Sequence, residues 1–288
     1  MVGLQVLIDG LLVGAVYAMV GLGFSLVWGV MNVINLSHGA FVMIGAYVTF
    51  WLFRLMGLDP FLTLPASFII VGVLGYLLQY FVINRIVRAP SFMTLIMTYG
   101  ISIILVNMAI LLWTADFRTV TPSYADETLV LGSIYIPYTK LSALAIVILL
   151  TILFSYILNN TRLGRSIRAT RMDLEAARLM GVNVSNVYAL TFAVGAGLAA
   201  VAGSLISLLY PITPVMGNFY TGIAFVVCAL GGLGGVRGAL VGGLVLGIVE
   251  SLAVWLFGVE FQQAVAYIVL VLVLIFLPRG LLGQEYYS

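Results

Sequence analysis

The feature that most restricts this chain is a series of long apolar runs separated by short polar breaks. They lie at about residues 11–30, 36–53, 61–83, 91–114, 138–158, 188–210, 219–232, 238–258 and 261–278. A bilayer-spanning helix needs about 20 mostly apolar residues, and lipid offers no partner to open backbone groups, so only a bundle of such helices absorbs these runs. Composition agrees, with 63% hydrophobic and 8% charged residues, against about 25% charged in an ordinary soluble domain. The sequence therefore predicts an all-α polytopic transmembrane helix bundle of about eight or nine membrane segments. Asn32, Asn35, Ser37, His38 and Gly39 interrupt the run near 36, and the run near 219 dissolves into Gly231, Gly232, Gly234 and Gly235. At least one segment is expected to be broken or re-entrant.

Charge sets the orientation. Arg85, Arg88, Arg162, Arg165, Arg168, Arg171, Arg178, Arg237 and Arg279 can share one side, which the positive-inside rule makes cytoplasmic together with the C-terminus. The other side receives Arg54, Arg118 and Lys140 with Asp59, Asp116, Asp126, Glu127 and Glu260. The first basic residue is Arg54, so the opening apolar stretch lacks the positive flank of a cleavable signal and is expected to stay as the first helix. On the outer side, Thr128 to Ile136 reads as a β-hairpin with a II′ turn at Gly132-Ser133, over the external mouth.

Several chemistries drop out. A net charge of +2 spread among membrane segments gives no footprint for nucleic acid. One cysteine, Cys228, and one histidine, His38, make neither a disulfide nor a conventional zinc site, and no cofactor is implied. No Gly-x-Ser-x-Gly nucleophile, paired membrane aspartates or histidine cluster suggests catalysis. No Gly-Lys-Ser or Gly-Lys-Thr follows the glycines and the only lysine is Lys140, so any ATP must be hydrolysed by another polypeptide.

The cytoplasmic loop 159–187 carries the densest charge. Within it Asp173 is a candidate N-cap, Glu175 falls in the first turn, and Gly181 is a glycine stop expected in a left-handed conformation. Ala176, Ala177, Leu179 and Met180 would form a small apolar contact face. In the membrane, Asn32, Asn35, Ser37, His38 and Glu250 are polar groups that lipid would penalise, which makes them candidates for a translocation path or subunit interface. For His38 and Glu250 a structural role stands beside the functional one. Arg237 is about 20 Å from Glu250 along one helix, so the partner of Glu250 must come from another helix or a second subunit. Gly231, Gly235, Gly238, Gly242, Gly243 and Gly247 pair at four-residue spacing, as does Gly234 with Gly238, and are read as helix-packing residues.

Glu175-Ala176-Ala177 followed after three residues by Gly181 resembles the EAA loop of bacterial ABC importer permeases. The longer string Arg162-Leu-Gly-Arg-Ser-Ile-Arg-Ala-Thr-Arg-Met-Asp-Leu-Glu-Ala-Ala-Arg-Leu-Met-Gly-Val-Asn-Val184 is similar to permeases for branched-chain amino acids. Leu190, Thr191 and Phe192 stand where the generic pattern has isoleucine, leucine and proline, which disfavours the sugar and maltose type. Met31-Asn-Val-Ile-Asn-Leu-Ser-His-Gly-Ala-Phe-Val-Met-Ile-Gly-Ala-Tyr47 resembles the same family, with Ser37 in place of its usual alanine. So does Gly231-Gly-Leu-Gly-Gly-Val-Arg-Gly-Ala-Leu-Val-Gly-Gly-Leu-Val-Leu-Gly-Ile-Val-Glu250.

The resemblance implies one importer transmembrane domain over residues 1–288, in the cell inner membrane. Its coupling helix would be Asp173, Glu175, Ala176, Ala177, Leu179, Met180 and Gly181. The implied partners are a second permease subunit, identical or different, two cytoplasmic ATP-binding subunits and an extracytoplasmic solute-binding protein, with the bilayer around them. The implied solutes are leucine, isoleucine and valine, related permeases handling urea, short amides or other amino acids. A channel or secondary transporter would leave the loop without purpose.

Overall fold

The structure, a computed structural model, describes residues 2–87, 89–232, 234–277 and 279–282. Its elements are α1 (Val2–Met31), α2 (His38–Met56), α3 (Leu64–Phe81), α4 (Ser91–Trp113), β1 (Thr128–Leu131), β2 (Ile134–Pro137), α5 (Tyr138–Asn160), α6 (Arg162–Met172), α7 (Leu174–Leu179), α8 (Val184–Ser207), α9 (Gly217–Gly231), α10 (Val236–Phe257) and α11 (Gln262–Phe276). Among the described residues eight helices are long and apolar enough to cross a membrane: α1 to α5, α8, α10 and α11, with α3 and α11 extended by short 3-10 turns. The protein is a polytopic helical bundle. The apolar run at 219–232 became α9, whose 15 residues cover about 22 Å of a roughly 30 Å hydrocarbon core.

α1 and α8 form the interior, and their small residues permit it. A Cβ on Gly14 would fall 2.7 Å from the Gly243 carbonyl oxygen, and one on Gly247 would fall 2.3 Å from that of Gly10, so α1 and α10 touch backbone to backbone. In the same way α8 meets α3, Gly197 against Phe68 and Gly72 against Ala193. Shifting by 183 residues carries Gly10 and Gly14 onto Ala193 and Gly197, and shifting back by 175 carries Gly243 and Gly247 onto Phe68 and Gly72. Both pairs run antiparallel. The chain thus packs its two halves alike, in the inverted-repeat manner of many membrane carriers. Leu111, Leu149 and Phe276 are among the many large apolar side chains left exposed on outer helices, where lipid is their solvent.

Two segments turn back into the bundle. After Asn32 the chain reverses, so that His38 at the start of α2 reaches the Val20 carbonyl, eleven residues or about 16 Å back along α1. From the opposite side, residues 208–216 descend and α9 starts at Gly217, whose Cβ would lie 2.6 Å from the Gly39 carbonyl oxygen. Two helix N-termini therefore meet inside the protein. The expected broken segment exists, and a second one accompanies it.

Side-chain contacts sort the loops into two faces. On one, Asn84 bonds Ser185, Tyr76 bonds Asn186, and Arg171 donates to the Gly234 carbonyl. These contacts gather the C-terminal end of α3, the segment 161–183 and the α9–α10 turn, where the described arginines 85, 162 to 178 and 237 lie; Arg88 falls outside the described residues. On the other face Tyr124 donates to Asp59, Lys140 pairs with Asp9, and Arg118 and Ile212 exchange backbone bonds. Burial, with the Asp59 carboxylate beside it, pushes the Tyr124 hydroxyl above its usual range. The hairpin forms with Leu131 opposite Ile134 and a positive φ at Gly132, the position a II′ turn requires. Gln5 pairs both ways with the Tyr135 backbone, which puts the start of α1 on the hairpin face.

Candidate functional site

The arginine segment is more ordered than a solvated loop. Thr161 caps α6 by accepting from the Gly164 amide at 3.1 Å, and the three-residue period turns Gly164, Ile167 and Thr170 inward and Arg162, Arg165 and Arg168 outward. Asp173 then breaks the helix in an extended conformation, and its Oδ1 accepts from the Glu175 and Ala176 amides at 2.9 Å each, starting α7. At the far end Gly181 has φ +81°, with Gly181 N–H donating to the Arg178 carbonyl and Val182 N–H to that of Ala177. This is a Schellman stop, available at low cost because glycine has no Cβ. Both ends of a six-residue helix are thereby tied down. The Glu175–Arg178 pair at 3.2 Å is exposed and adds at most a few tenths of a kcal/mol.

The contact face differs from expectation in one residue. Ala177 is buried, 4% exposed, because Leu174, Ala177 and Val182 form the stripe by which α7 rests on its own protein. What projects is Leu179 and Met180, 87% and 84% exposed, with Ala176 beside them and Met172 at 87%. Met172 is a member of this apolar knob that no sequence signal marked.

Around the first re-entrant segment the backbone is satisfied by side chains. Asn32 ends α1 at φ +52°, a left-handed conformation that asparagine tolerates, and it is exposed. Asn35 Oδ1 accepts from Ser37 N and Oγ at 3.1 and 2.6 Å, closing an Asx turn. Thr98 of α4 accepts from Leu36 N–H and faces the Ile34 carbonyl at 3.1 Å. Thr221 of α9 accepts from Gly39 N–H at 3.0 Å. His38 is fully enclosed: Nε2 donates to the Val20 carbonyl at 2.9 Å, and the ring lies edge-on to Phe24. Asn35, Ser37 and His38 come together, while Asn32 stands apart at the rim. Thr98 and Thr221 escaped sequence reading because isolated threonines in apolar helices are common.

Glu250 finds its partners inside the chain. Its Oε2 accepts from Tyr17 of α1 and Gln262 of α11, each at 2.9 Å, and Gln262 also donates to Tyr17 at 3.1 Å. The carboxyl is 2% exposed, and among the described residues no cation lies within ion-pair distance of it. The three side chains clamp α1, α10 and α11 together. Among the glycines, Gly231, Gly238, Gly242, Gly243 and Gly247 sit where a Cβ would strike backbone. Gly235 does not: it precedes α10 with its nearest neighbour at 3.7 Å, so it is a loop residue and not a packing one. Gly234, at φ +75°, abuts Gly29 and Arg171. Among the described residues no three metal-binding side chains converge.

The family model for the permease component of branched-chain amino acid transport systems matches residues 6–277. The high-affinity branched-chain amino acid transport system permease protein BraD of Pseudomonas aeruginosa is 36% identical over 98% of this chain and 96% of its own. The corresponding LivH protein of Escherichia coli K12 is 34% identical over the same shares. The ribose import permease protein RbsC of Haemophilus influenzae is 29% identical over 79% of this chain and 71% of its own. No solved structure matches.

Proposed function

The chain belongs to the family of permease components of branched-chain amino acid transport systems, and from this we propose that residues 1–288 act as one permease domain importing leucine, isoleucine or valine. The domain sits in the cell inner membrane with the arginine face and C-terminus in the cytoplasm. Two such subunits, identical or different, form the path between them. A soluble binding protein delivers solute at the hairpin face. Two ATP-binding subunits engage the opposite one.

The observation that carries this reading is α7: a helix capped at both ends that holds Leu179 and Met180 in solvent on the most charged face. Apolar side chains held rigidly in water have little purpose without a groove to receive them. Movement there has a route inward. α7 is joined to α6 directly through Asp173, Arg171 of α6 holds the Gly234 carbonyl, and Gly234 N–H donates to Ser25 of α1. Closure of the ATPases on ATP would thereby tilt α1 and α10, which pack backbone to backbone, and alternate access between the two faces. A channel or secondary carrier needs no such element.

The test is ATP hydrolysis by the reconstituted importer with its binding protein. Leucine, isoleucine or valine should stimulate hydrolysis, and Leu179→Asp with Met180→Asp should abolish that stimulation while the permease stays in the membrane. Full stimulation in the double variant would refute α7 as the coupling element. Stimulation by another solute alone would move the substrate assignment and leave the coupling reading intact.

A further inference from the structure

Two cavities on the outside of the bundle adjoin. One is an apolar groove of about 660 Å³ between α1, α3, α5 and α8, with Phe68, Leu150, Phe154 and Val194 in its walls. The other, about 510 Å³, opens on the arginine face and holds Arg168, Arg171 and Arg237 beside Asn159 and the glycine backbone at 234 and 235. Leu26, Leu158 and Ile167 line both. The apolar space therefore borders a cationic one across these three side chains.

The cationic end is built to receive a negative group. Arg168 donates to the Leu158 and Asn159 carbonyls at 2.6 and 3.3 Å and to Asn159 Oδ1 at 3.0 Å, and Arg171 to the Gly234 carbonyl at 2.8 Å. The three acceptors of Arg168 are neutral, so they orient its guanidinium without cancelling its charge. Among the described residues neither Arg168 nor Arg237 has a carboxylate within ion-pair distance, and Arg237 makes no hydrogen bond. The N-terminus of the 22-residue helix α10 opens into the same cavity with no side-chain cap, adding the positive end of its dipole.

Charge alone would suit free phosphate, but the apolar extension would then be idle. α5 lines the groove from Ile146 to Leu158, about 18 Å at 1.5 Å per residue, against about 15 Å for half of a hydrocarbon core. That is room for one acyl chain lying along the helices, with its headgroup at the arginine face. We propose that these adjoining cavities bind an anionic phospholipid, its phosphate on Arg168 and Arg237 and one acyl chain in the α3–α5–α8 groove.

The experiment is native mass spectrometry of the full chain in detergent with equal amounts of phosphatidylglycerol and phosphatidylcholine of identical acyl chains. The wild type should retain phosphatidylglycerol in preference. Arg237→Gln should weaken that retention about fivefold, as loss of one cation near an anionic headgroup does, and because Arg237 makes no bond among the described residues its folding is not at stake. Arg168→Gln should act similarly, and Leu153→Trp, which narrows the groove, should lower retention of both lipids. Equal retention of the two lipids, or phosphatidylglycerol retained equally by wild type and Arg237→Gln, would overturn the proposal. Displacement by millimolar inorganic phosphate would assign the site to a free anion instead. Loss of the lipid on assembly with the other importer subunits would make the groove a protein interface and would likewise overturn it.

Discussion

Gly181→Val tests the proposed coupling role of α7 apart from everything else. A Cβ at Gly181 would meet no atom within 4 Å, so its cost is conformational and not steric against neighbours. At φ +81° a β-branched residue pays roughly 1 to 3 kcal/mol. The opposing stabilisation is small: Asp173 as N-cap contributes about 1 kcal/mol, and α7 has only six residues. A strain of about 2 kcal/mol shifts the capped conformation against its alternatives by about 30-fold. The carbonyls of Ala177 and Arg178 then lose their Schellman partners, and the knob of Leu179 and Met180 swings away. Gly181→Asn is the control, since asparagine enters the left-handed region at low cost. In the reconstituted importer, solute-stimulated ATP hydrolysis should fall at least about tenfold in the valine variant and by less than half in the asparagine one. Equal activity of valine variant and wild type would refute the reasoning, and so would equal loss in both variants, which would indicate a need for glycine unrelated to backbone strain.

Single cysteines at Ser123 and Gln5 should both react with a membrane-impermeant thiol reagent in intact cells while one at Ser166 stays protected, Cys228 being buried; the reverse pattern inverts the topology. Gly39→Ala places a Cβ 1.8 Å from the Gly217 carbonyl oxygen, so the permease should fail to accumulate or melt well below wild type, and an unchanged melting temperature would deny that the two re-entrant N-termini touch. Glu250→Leu leaves Tyr17 and Gln262 able to bond each other, so the variant should still accumulate while uptake falls. Normal uptake by a well-expressed Glu250→Leu, Asn35→Leu double variant would leave both residues with a packing role alone.

What the sequence determined by itself is what acts locally or through the bilayer. Long apolar runs can only be helices where lipid denies backbone partners, and arginines sort the loops because translocating them is costly. Asp173 and Gly181 were legible as cap and stop because their hydrogen bonds close within three to five residues, and Gly132 was legible as a turn for the same reason. The orientation of side chains within the bundle was not legible. In a soluble protein a polar stripe marks the outward face of a helix, but lipid is as apolar as the core, so α1 and α11 read alike although one is interior and the other mostly exposed. The inward turn of Ala177 depends on Leu174 and Val182 resting on the bundle. The partners of Glu250 lie 233 and 12 positions away, and Gly39 meets Gly217 across most of the chain. Such contacts come from how the two halves pack against each other, so only the tertiary structure decided that two re-entrant segments meet inside the protein and that a buried carboxyl joins three helices.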